Sequence, residues 1–173
     1  MTPEQAHTIF HNAFAATLKT ESRTTKKILD AVPADKLSYR PDECAKTANE
    51  LLRHVASAEF FFTDAVINSV FSPGSIKIPE TASTPAEVAT WYEETFAKQF
   101  DTISKLSGEQ LAKIVDFRGM FQMPAVMFLQ FGLNHTIHHR GQLSTYLRPM
   151  GGKIPAIYGE SYDSAQAKKA AQA

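Results

Sequence analysis

The sequence has one cysteine, no excess of charge of either sign and no long apolar run. Cys44 alone cannot form an internal disulfide, which fits a reducing compartment. Lysine plus arginine and aspartate plus glutamate each total 18, so the net charge is zero. The chain therefore lacks the positive charge that nucleic-acid binding usually requires. No apolar stretch reaches membrane-spanning length, and the polar residues 1–5 lack the features of a signal peptide. We therefore expect a cytoplasmic protein that binds neither nucleic acid nor membranes.

Several catalytic motifs are missing as well. The chain has no Gly-x-Ser-x-Gly nucleophile elbow, no Walker loop, no dinucleotide-binding glycine pattern and no Cys-x-x-Cys pair. Di-iron bundles need Glu-x-x-His pairs, and no glutamate stands three residues before His54, His135, His138 or His139. These absences argue against nucleotide, serine-hydrolase, dithiol and di-iron chemistry.

Caps and apolar periodicity predict four long helices, over about residues 3–31, 47–70, 84–106 and 124–148. The second begins with a capping box, in which Thr47 caps the helix and Glu50 reaches back. A similar start at Thr84 opens the third helix. Helices of this length in one domain most readily form an up-down bundle, with sizeable connections at about 32–46 and 107–123. The predicted fold class is therefore an all-α four-helix bundle.

Little β-structure is predicted. The pieces around residues 76–78 and 114–117 could pair briefly, and no other segment alternates long enough for a sheet. The stretch from 164 to 173 is rich in alanine and lysine and has no bulky apolar residue. It is predicted to be a frayed helix or a disordered tail, which leaves residues 1–163 for the bundle domain.

The fourth predicted helix contains three of the six histidines of the chain. His135 and His139 are four residues apart, which places both rings on one helix face, one turn from each other. Two imidazoles so placed can hold one metal ion. The alternatives are that both rings bond to core carboxylates or lie at a solvated edge, and His138 forms a competing pair with His135.

His54 supplies the third nitrogen if the second helix faces the fourth across the bundle. Its neighbours are mostly apolar, and taken alone it is typical of a core histidine. Three protein ligands with the fourth position open are the arrangement of catalytic zinc, which makes bound water acidic. Glu50 and Glu59 are candidates to orient a ligand ring through a hydrogen bond to its other nitrogen, although Glu50 is already used by the capping box.

Other residues have weaker claims to a role. His7 and His11 lie near a helix N-terminus and are expected at the surface or rim, and Cys44 is expected to be an ordinary loop cysteine. Three polar residues that follow the fourth-helix histidines are candidates for substrate contact: Arg140, Gln142 and Tyr146. Arg140 is one residue off the ligand face, so it is equally a candidate for an outward salt bridge.

Three segments of the chain resemble the DinB-like (DinB/YfiT) superfamily of four-helix bundles. They are ELLRHVASAE at residues 50–59, NHTIHHRGQLSTYL at residues 134–147, and LSYRP at residues 37–41 in the loop before the second predicted helix. The likeness extends over most of residues 1–160, and the fourth-helix signature is its most specific part. It implies one divalent metal ion, often zinc or nickel, held by one histidine of the second helix and two of the fourth. At the matching positions these ligands are His54, His135 and His139.

The resemblance also implies a class of function. Related branches are thiol-dependent S-transferases or isomerases that use low-molecular-weight thiols, and members commonly form homodimers. The leading interpretation is a metal-dependent enzyme of the thiol-transferase or hydrolase type, acting on a small-molecule substrate at an open coordination position. The alternative is a non-catalytic dimeric stress or binding protein with a structural or vestigial metal. Three imidazoles suit zinc, nickel, copper and iron alike, so the ligands do not identify the metal.

Overall fold

A computed structural model describes residues 1–172 of the chain, and it is predominantly helical. The helices are α1 (Pro3–Ile9), α2 (Ala15–Asp30), α3 (Ala48–Asn68), α4 (Pro85–Ile103), α5 (Gly108–Ala112), α6 (Ala125–Leu147) and α7 (Tyr162–Ala171). Two short strands, β1 (Ile114–Phe117) and β2 (Phe121–Pro124), form the sheet. The prediction of an all-α bundle is confirmed. Within residues 1–172, no helix is long and apolar enough to cross a membrane.

The first predicted helix is divided in the structure. Between α1 and α2 the chain passes through a π-helical segment, Phe10–Phe14, whose first and last side chains are both buried. A π-helical turn holds more residues than an α-helical turn, so it changes which residues face the core on either side of it. An apolar pattern read at one constant period does not reveal such an insertion.

The predicted capping boxes are present at the two helices that form one side of the bundle. The side chain of Thr47 accepts a hydrogen bond from the backbone N–H of Glu50, and the Glu50 carboxylate accepts from the backbone N–H of Thr47. Thr84 and Glu87 do the same at the start of α4. Each box satisfies two backbone donors that a helix start would leave unpaired, which fixes where α3 and α4 begin.

The four long helices form a ring in which α3 packs against α6 and α4, and α2 packs against α4 and α6. The pairing of α3 with α6 is the most extensive, and Gly132 of α6 lies against Phe62 of α3. A Cβ atom built on Gly132 would lie 2.7 Å from Cβ of Phe62. Because real carbon atoms do not approach so closely, glycine is the residue that allows these two helices to meet at this distance.

The hairpin differs from the pairing suggested by the sequence. Residues 114–117 form a strand, but they pair with 121–124 in antiparallel register, and residues 76–78 form no strand. Arg118 and Gly119 make the turn with φ of 58° and 74°, and Asp116 Oδ2 accepts from the backbone N–H of Gly119 at 2.7 Å. Closing this short loop costs less chain entropy than pairing with a segment almost forty residues away.

The C-terminal stretch is helical in the described residues. Ser161 caps α7, and the Asp163 carboxylate accepts hydrogen bonds from Arg148 at 2.8 Å and from the backbone N–H of Ile154 at 2.9 Å. The sequence predicted either a frayed helix or a disordered tail, and the structure has a helix that begins at Tyr162. Ala173 lies outside the described residues, and the domain boundary at residue 163 stays a prediction.

Candidate metal centre

The structure brings His54 of α3 and His135 and His139 of α6 together. One ring nitrogen from each lies within 4.8 Å of the other two. The ring centroids are 5.1 Å apart for His54 and His135, 4.3 Å for His54 and His139, and 4.4 Å for the α6 pair. In the part of the chain that the structure describes, this is the only group of at least three histidine, cysteine or acidic side chains with such spacing.

Two features of the helices produce this convergence. The spacing of four residues on α6 stacks His135 and His139 on the face that meets α3. The close approach at Gly132, three residues before His135, brings α3 near enough for His54 to reach the same point. Residue types and helical spacing therefore place the three rings, and the helix contact sets the distance between them.

Burial keeps the rings of His54 and His135 uncharged near neutral pH. The pKa of His54 is lowered from 6.5 to about 4, first by burial and then by repulsion from His139 and His135. Burial is also the main reason that the pKa of His135 is lowered. An unprotonated imidazole has the nitrogen lone pair that a metal ion needs, so both rings are in the ligand form at pH 7.

Gln142 holds the orientation of His139. Its Oε1 lies 2.7 Å from Nδ1 of His139, and its amide nitrogen lies 3.2 Å from Nε2 of His138. Because an amide oxygen only accepts, this hydrogen bond requires the tautomer of His139 in which Nδ1 carries the proton and Nε2 keeps the free lone pair. Sequence reasoning placed Gln142 at the substrate, and the structure places it behind a candidate ligand. Its spacing of three residues from His139 was the signal for this role.

The three residues fit a divalent ion. Nδ1 of His135 is buried and has no hydrogen-bond partner, which is uncommon for a buried polar atom. Three nitrogens at bond length from one tetrahedral ion would lie about 3.3 Å from each other. The observed limit of 4.8 Å is close enough for small side-chain rotations to reach that spacing. The arrangement is compatible with metal binding and leaves room for a further ligand.

Arg140 corrects both readings made from the sequence. It neither reaches the histidines nor points outward, because its side chain is only 2% exposed and lies inside the bundle. Its Nη2 is 2.7 Å from Oε2 of Glu21, and its Nη1 is 3.1 Å from Oγ1 of Thr25 on α2. One residue along a helix rotates a side chain by about 100°. That rotation takes Arg140 from the face that meets α3 to the face that meets α2.

Two other candidates form hydrogen bonds with groups other than the histidines. Glu59 is buried, and its Oε2 accepts a hydrogen bond from the Tyr92 hydroxyl at 2.7 Å. Tyr146 donates to the backbone carbonyl of Lys46 at 3.1 Å. Neither has a hydrogen bond to a candidate ligand in the described residues, so the expectation that Glu59 orients a ring was wrong.

The peripheral residues lie where the sequence predicted. His7 and His11 are exposed, with ring centroids 4.2 Å apart. Cys44 is an exposed free cysteine in the loop before α3. None of these three residues belongs to the group of converging histidines.

The fold and the three converging imidazoles place this protein in a class, that of helical bundles with a candidate metal centre between two helices. The comparison with protein families identifies the particular family. The DinB family matches residues 6–171, and the chain belongs to this family. The resemblance seen in the sequence motifs is thereby confirmed.

Similar proteins come from Bacillus. The uncharacterized protein YjoA of Bacillus subtilis (strain 168) is 30% identical over 129 residues, which are 73% of this chain and 82% of YjoA. The uncharacterized protein YrdA of the same organism is 25% identical over 140 residues, covering 80% of this chain and 82% of YrdA.

Two solved structures share the fold. The crystal structure of the DinB-like protein YjoA from Bacillus subtilis has a TM-score of 0.70 at 25% identity, covering 85% of this chain and 99% of that one. A DinB-like protein from Bacillus cereus ATCC 10987 has a TM-score of 0.65 at 23% identity, covering 84% of this chain and 95% of that one. The second likeness concerns the fold alone.

Proposed function

We propose that this protein binds one divalent metal ion, zinc or nickel, through His54, His135 and His139, and that it is a metal-dependent enzyme. The observation that carries the proposal is the convergence of three ring nitrogens within 4.8 Å. Within residues 1–172 no acidic side chain joins these three histidines, so a fourth position remains for water or substrate. A site that served only to hold the fold would more typically be closed by four protein ligands.

The reaction class follows from the chemistry of such a site. A divalent ion held by these three imidazoles would act as a Lewis acid and would increase the fraction of a water or a thiol present as nucleophile near neutral pH. We place thiol-dependent S-transfer before hydrolysis because related branches of the superfamily that the sequence resembles are thiol-dependent. In such a transfer the thiol sulfur bonds to an electrophilic carbon of the substrate. The leaving group departs with its electron pair, and the thiol proton passes to solvent.

The contributions of the chain to this function are binding and orientation. Gln142 fixes which nitrogen of His139 is free, and burial keeps His54 and His135 unprotonated. A small-molecule substrate, a low-molecular-weight thiol as co-substrate, a homodimeric assembly and a cytoplasmic location complete the proposal. The thiol and the dimer rest on the family resemblance, and light scattering coupled to size-exclusion chromatography tests the dimer.

Metal analysis of protein without a histidine tag tests the proposal. We expect one equivalent of zinc or nickel in the unmodified chain. His54→Ala should weaken metal binding by roughly a hundredfold or more. Removing a ligand lowers the metal affinity at least as much as removing a residue that hydrogen-bonds to a ligand. His11→Ala is the matched control, since His7 and His11 repeat the spacing of the α6 pair without a third ring.

Two results would contradict this function. One is untagged protein that neither carries nor takes up a stoichiometric ion. The other is His54→Ala protein that binds the ion as tightly as the His11→Ala control. A screen of low-molecular-weight thiols with electrophilic substrates on the loaded protein would then separate transfer from hydrolysis.

A further inference from the structure

A cavity of about 400 Å³ borders the candidate metal centre on the side of His54 and His135. Its volume lies in the range of pockets that hold small ligands. Six mainly apolar side chains make most of its wall: Ala58, Phe61, Phe62, Ile76, Phe117 and Phe131. They come from α3, α6, the hairpin strand β1 and the loop that follows α3. We call this space the aromatic cavity.

The wall of the aromatic cavity contains no aspartate, glutamate, lysine or arginine. Its polar side chains are the two histidines and Ser57, and the Ser57 hydroxyl already donates to the backbone carbonyl of Arg53 at 2.8 Å. A charged ligand group that was buried against this wall, away from the ion that His54 and His135 would hold, would lose hydration without gaining a charged partner. The cavity therefore favours uncharged ligand groups.

The phenylalanine rings give the wall its shape. The ring centroid of Phe62 is 5.2 Å from that of Phe131, 6.0 Å from that of Phe117 and 5.7 Å from that of His135. Such rings offer broad apolar surfaces and favourable edges and faces for another ring. Because the same cluster includes the ring of a candidate metal ligand, a group bound against it would lie next to the ion.

The rim of the cavity is open to solvent. Phe131, which lines the cavity, is 38% exposed, and its neighbour Phe121, which does not line it, is 37% exposed. Partly exposed aromatic side chains beside a cavity are typical of a ligand entrance. They also supply a pair of variants with equal exposure and different positions.

We propose that the aromatic cavity binds the uncharged aryl or short alkyl part of the substrate, whose reactive atom then faces His54 and His135. This inference rests on the proposed function, because it assigns a substrate class to the same site. It predicts that the enzyme acts on neutral apolar electrophiles and discriminates against substrates whose apolar part carries a carboxylate.

Two probes of nearly equal shape test the preference for neutral ligands. They are 2-acetylnaphthalene, which is neutral, and 2-naphthoate, which is anionic. Binding is measured by ligand-observed NMR on metal-free protein at about pH 8, where His54 is unprotonated. We expect the ketone to bind at least roughly tenfold more tightly than the carboxylate. Equal affinities, or tighter binding of naphthoate, would overturn the inference.

Variants locate the probe. Phe131→Ala should weaken ketone binding by roughly fivefold, because it removes a ring of the wall. Phe121→Ala should change it by less than about twofold, because this ring has the same exposure but lies outside the wall. Phe100→Ala tests a second cavity of about 720 Å³ between α2 and α4. Loss of binding in this variant alone would place the probe there and overturn the inference. Thermal melts of each variant verify folding.

The cavity and the metal site are then tested together. In protein loaded with Co²⁺, the resonances of the bound ketone should broaden relative to protein loaded with Zn²⁺, because the cavity borders two candidate ligands. Co²⁺ that binds without broadening the ketone overturns the inference and leaves the proposed metal site intact. Protein that binds the ketone but no Co²⁺ instead overturns the proposed function, and the substrate assignment fails with it.

Discussion

His139 and Arg140 are consecutive residues of α6, yet they belong to two polar clusters of opposite character. The histidine cluster is half-buried and has a ring nitrogen of His135 without a partner. The arginine cluster surrounds a buried guanidinium with hydrogen bonds, since Arg140 contacts Glu21, Thr25 and the hydroxyl of the exposed Tyr158 within 3.2 Å. The first cluster leaves capacity for a ligand, whereas the second uses its capacity within the chain.

The comparison suggests how to separate structural polar groups from functional ones inside a bundle. A buried charge is tolerated when partners surround it, and the arginine cluster joins α2, α6 and the segment containing Tyr158. These contacts fix the rotation of α6 about its own axis. The same rotation directs His135 and His139 toward α3, so the structural cluster positions the candidate site from the opposite face of the helix.

The largest effect on stability is expected from Arg140→Met. The change leaves the carboxylate of Glu21, which is 12% exposed, without its cationic partner. Removing one member of a buried pair costs about 3–5 kcal/mol in the free energy of unfolding. Urea denaturation measures this loss.

Arg148→Met is the matched control. Arg148 pairs with Asp163 at 2.8 Å, but its side chain is 53% exposed. A surface pair of this kind contributes at most about 1 kcal/mol. Equal losses in the two variants would show that the arginine cluster has no special structural role.

Glu59→Gln should produce a smaller effect that depends on pH. Burial raises the pKa of Glu59 from 4.5 to about 7, against the opposing effects of Tyr92 and Arg140. The folded chain therefore retains a proton that the unfolded chain loses, and the stability that this proton contributes is lost as the pH rises through about 7. Glutamine keeps an acceptor for Tyr92 and does not titrate. Between about pH 4.5 and about pH 8.5, the variant should gain up to about 3 kcal/mol relative to the parent chain.

Denaturant titrations at the two pH values measure this gain. A difference between the two proteins that stays constant with pH would mean that Glu59 is not the buried titrating group. A difference of the opposite sign would mean that its pKa is lowered in the fold.

The smallest expected effect belongs to Gln142→Ala, which tests the histidine cluster without removing a ligand. Losing the group that fixes the tautomer of His139 should weaken metal binding by roughly tenfold. Gln130→Ala is the control, because Gln130 bonds to Asn134 on the same helix and to no histidine. Competition with a chromophoric chelator measures both affinities. Equal affinities in the two variants would remove Gln142 from the site.

The candidate site was largely predictable because its geometry is local. The spacing of His135 and His139 defines a shared face. His54 was the mid-helix histidine expected to face them across the bundle, and the family resemblance agreed with that set. Arg140 was misread because α6 is buried on more than one face, with Thr136 and Leu143 also inside the bundle. A residue that leaves the ligand face of such a helix does not reach solvent. Its new neighbours belong to α2, and helical periodicity does not identify them.

The fold was predictable to the same degree. The caps at Thr47 and Thr84 use side chains within three residues of each other, so the sequence contains the whole interaction. The π-helical segment Phe10–Phe14 depends on how the first helix packs along its length. The hairpin partner of residues 114–117 depends on a competition between two closures of the chain. Both require knowledge of contacts that a linear pattern does not record.

The contact between Gly132 and Phe62 has a consequence for the size of ion that the candidate site could accept. A methyl group at position 132 would force α3 and α6 apart. The imidazole of α3 would then retreat from the two of α6, and a larger coordination sphere would be favoured over a compact one. If the site binds a metal ion, its preference among cations of different radius would therefore depend partly on the absence of a side chain at position 132.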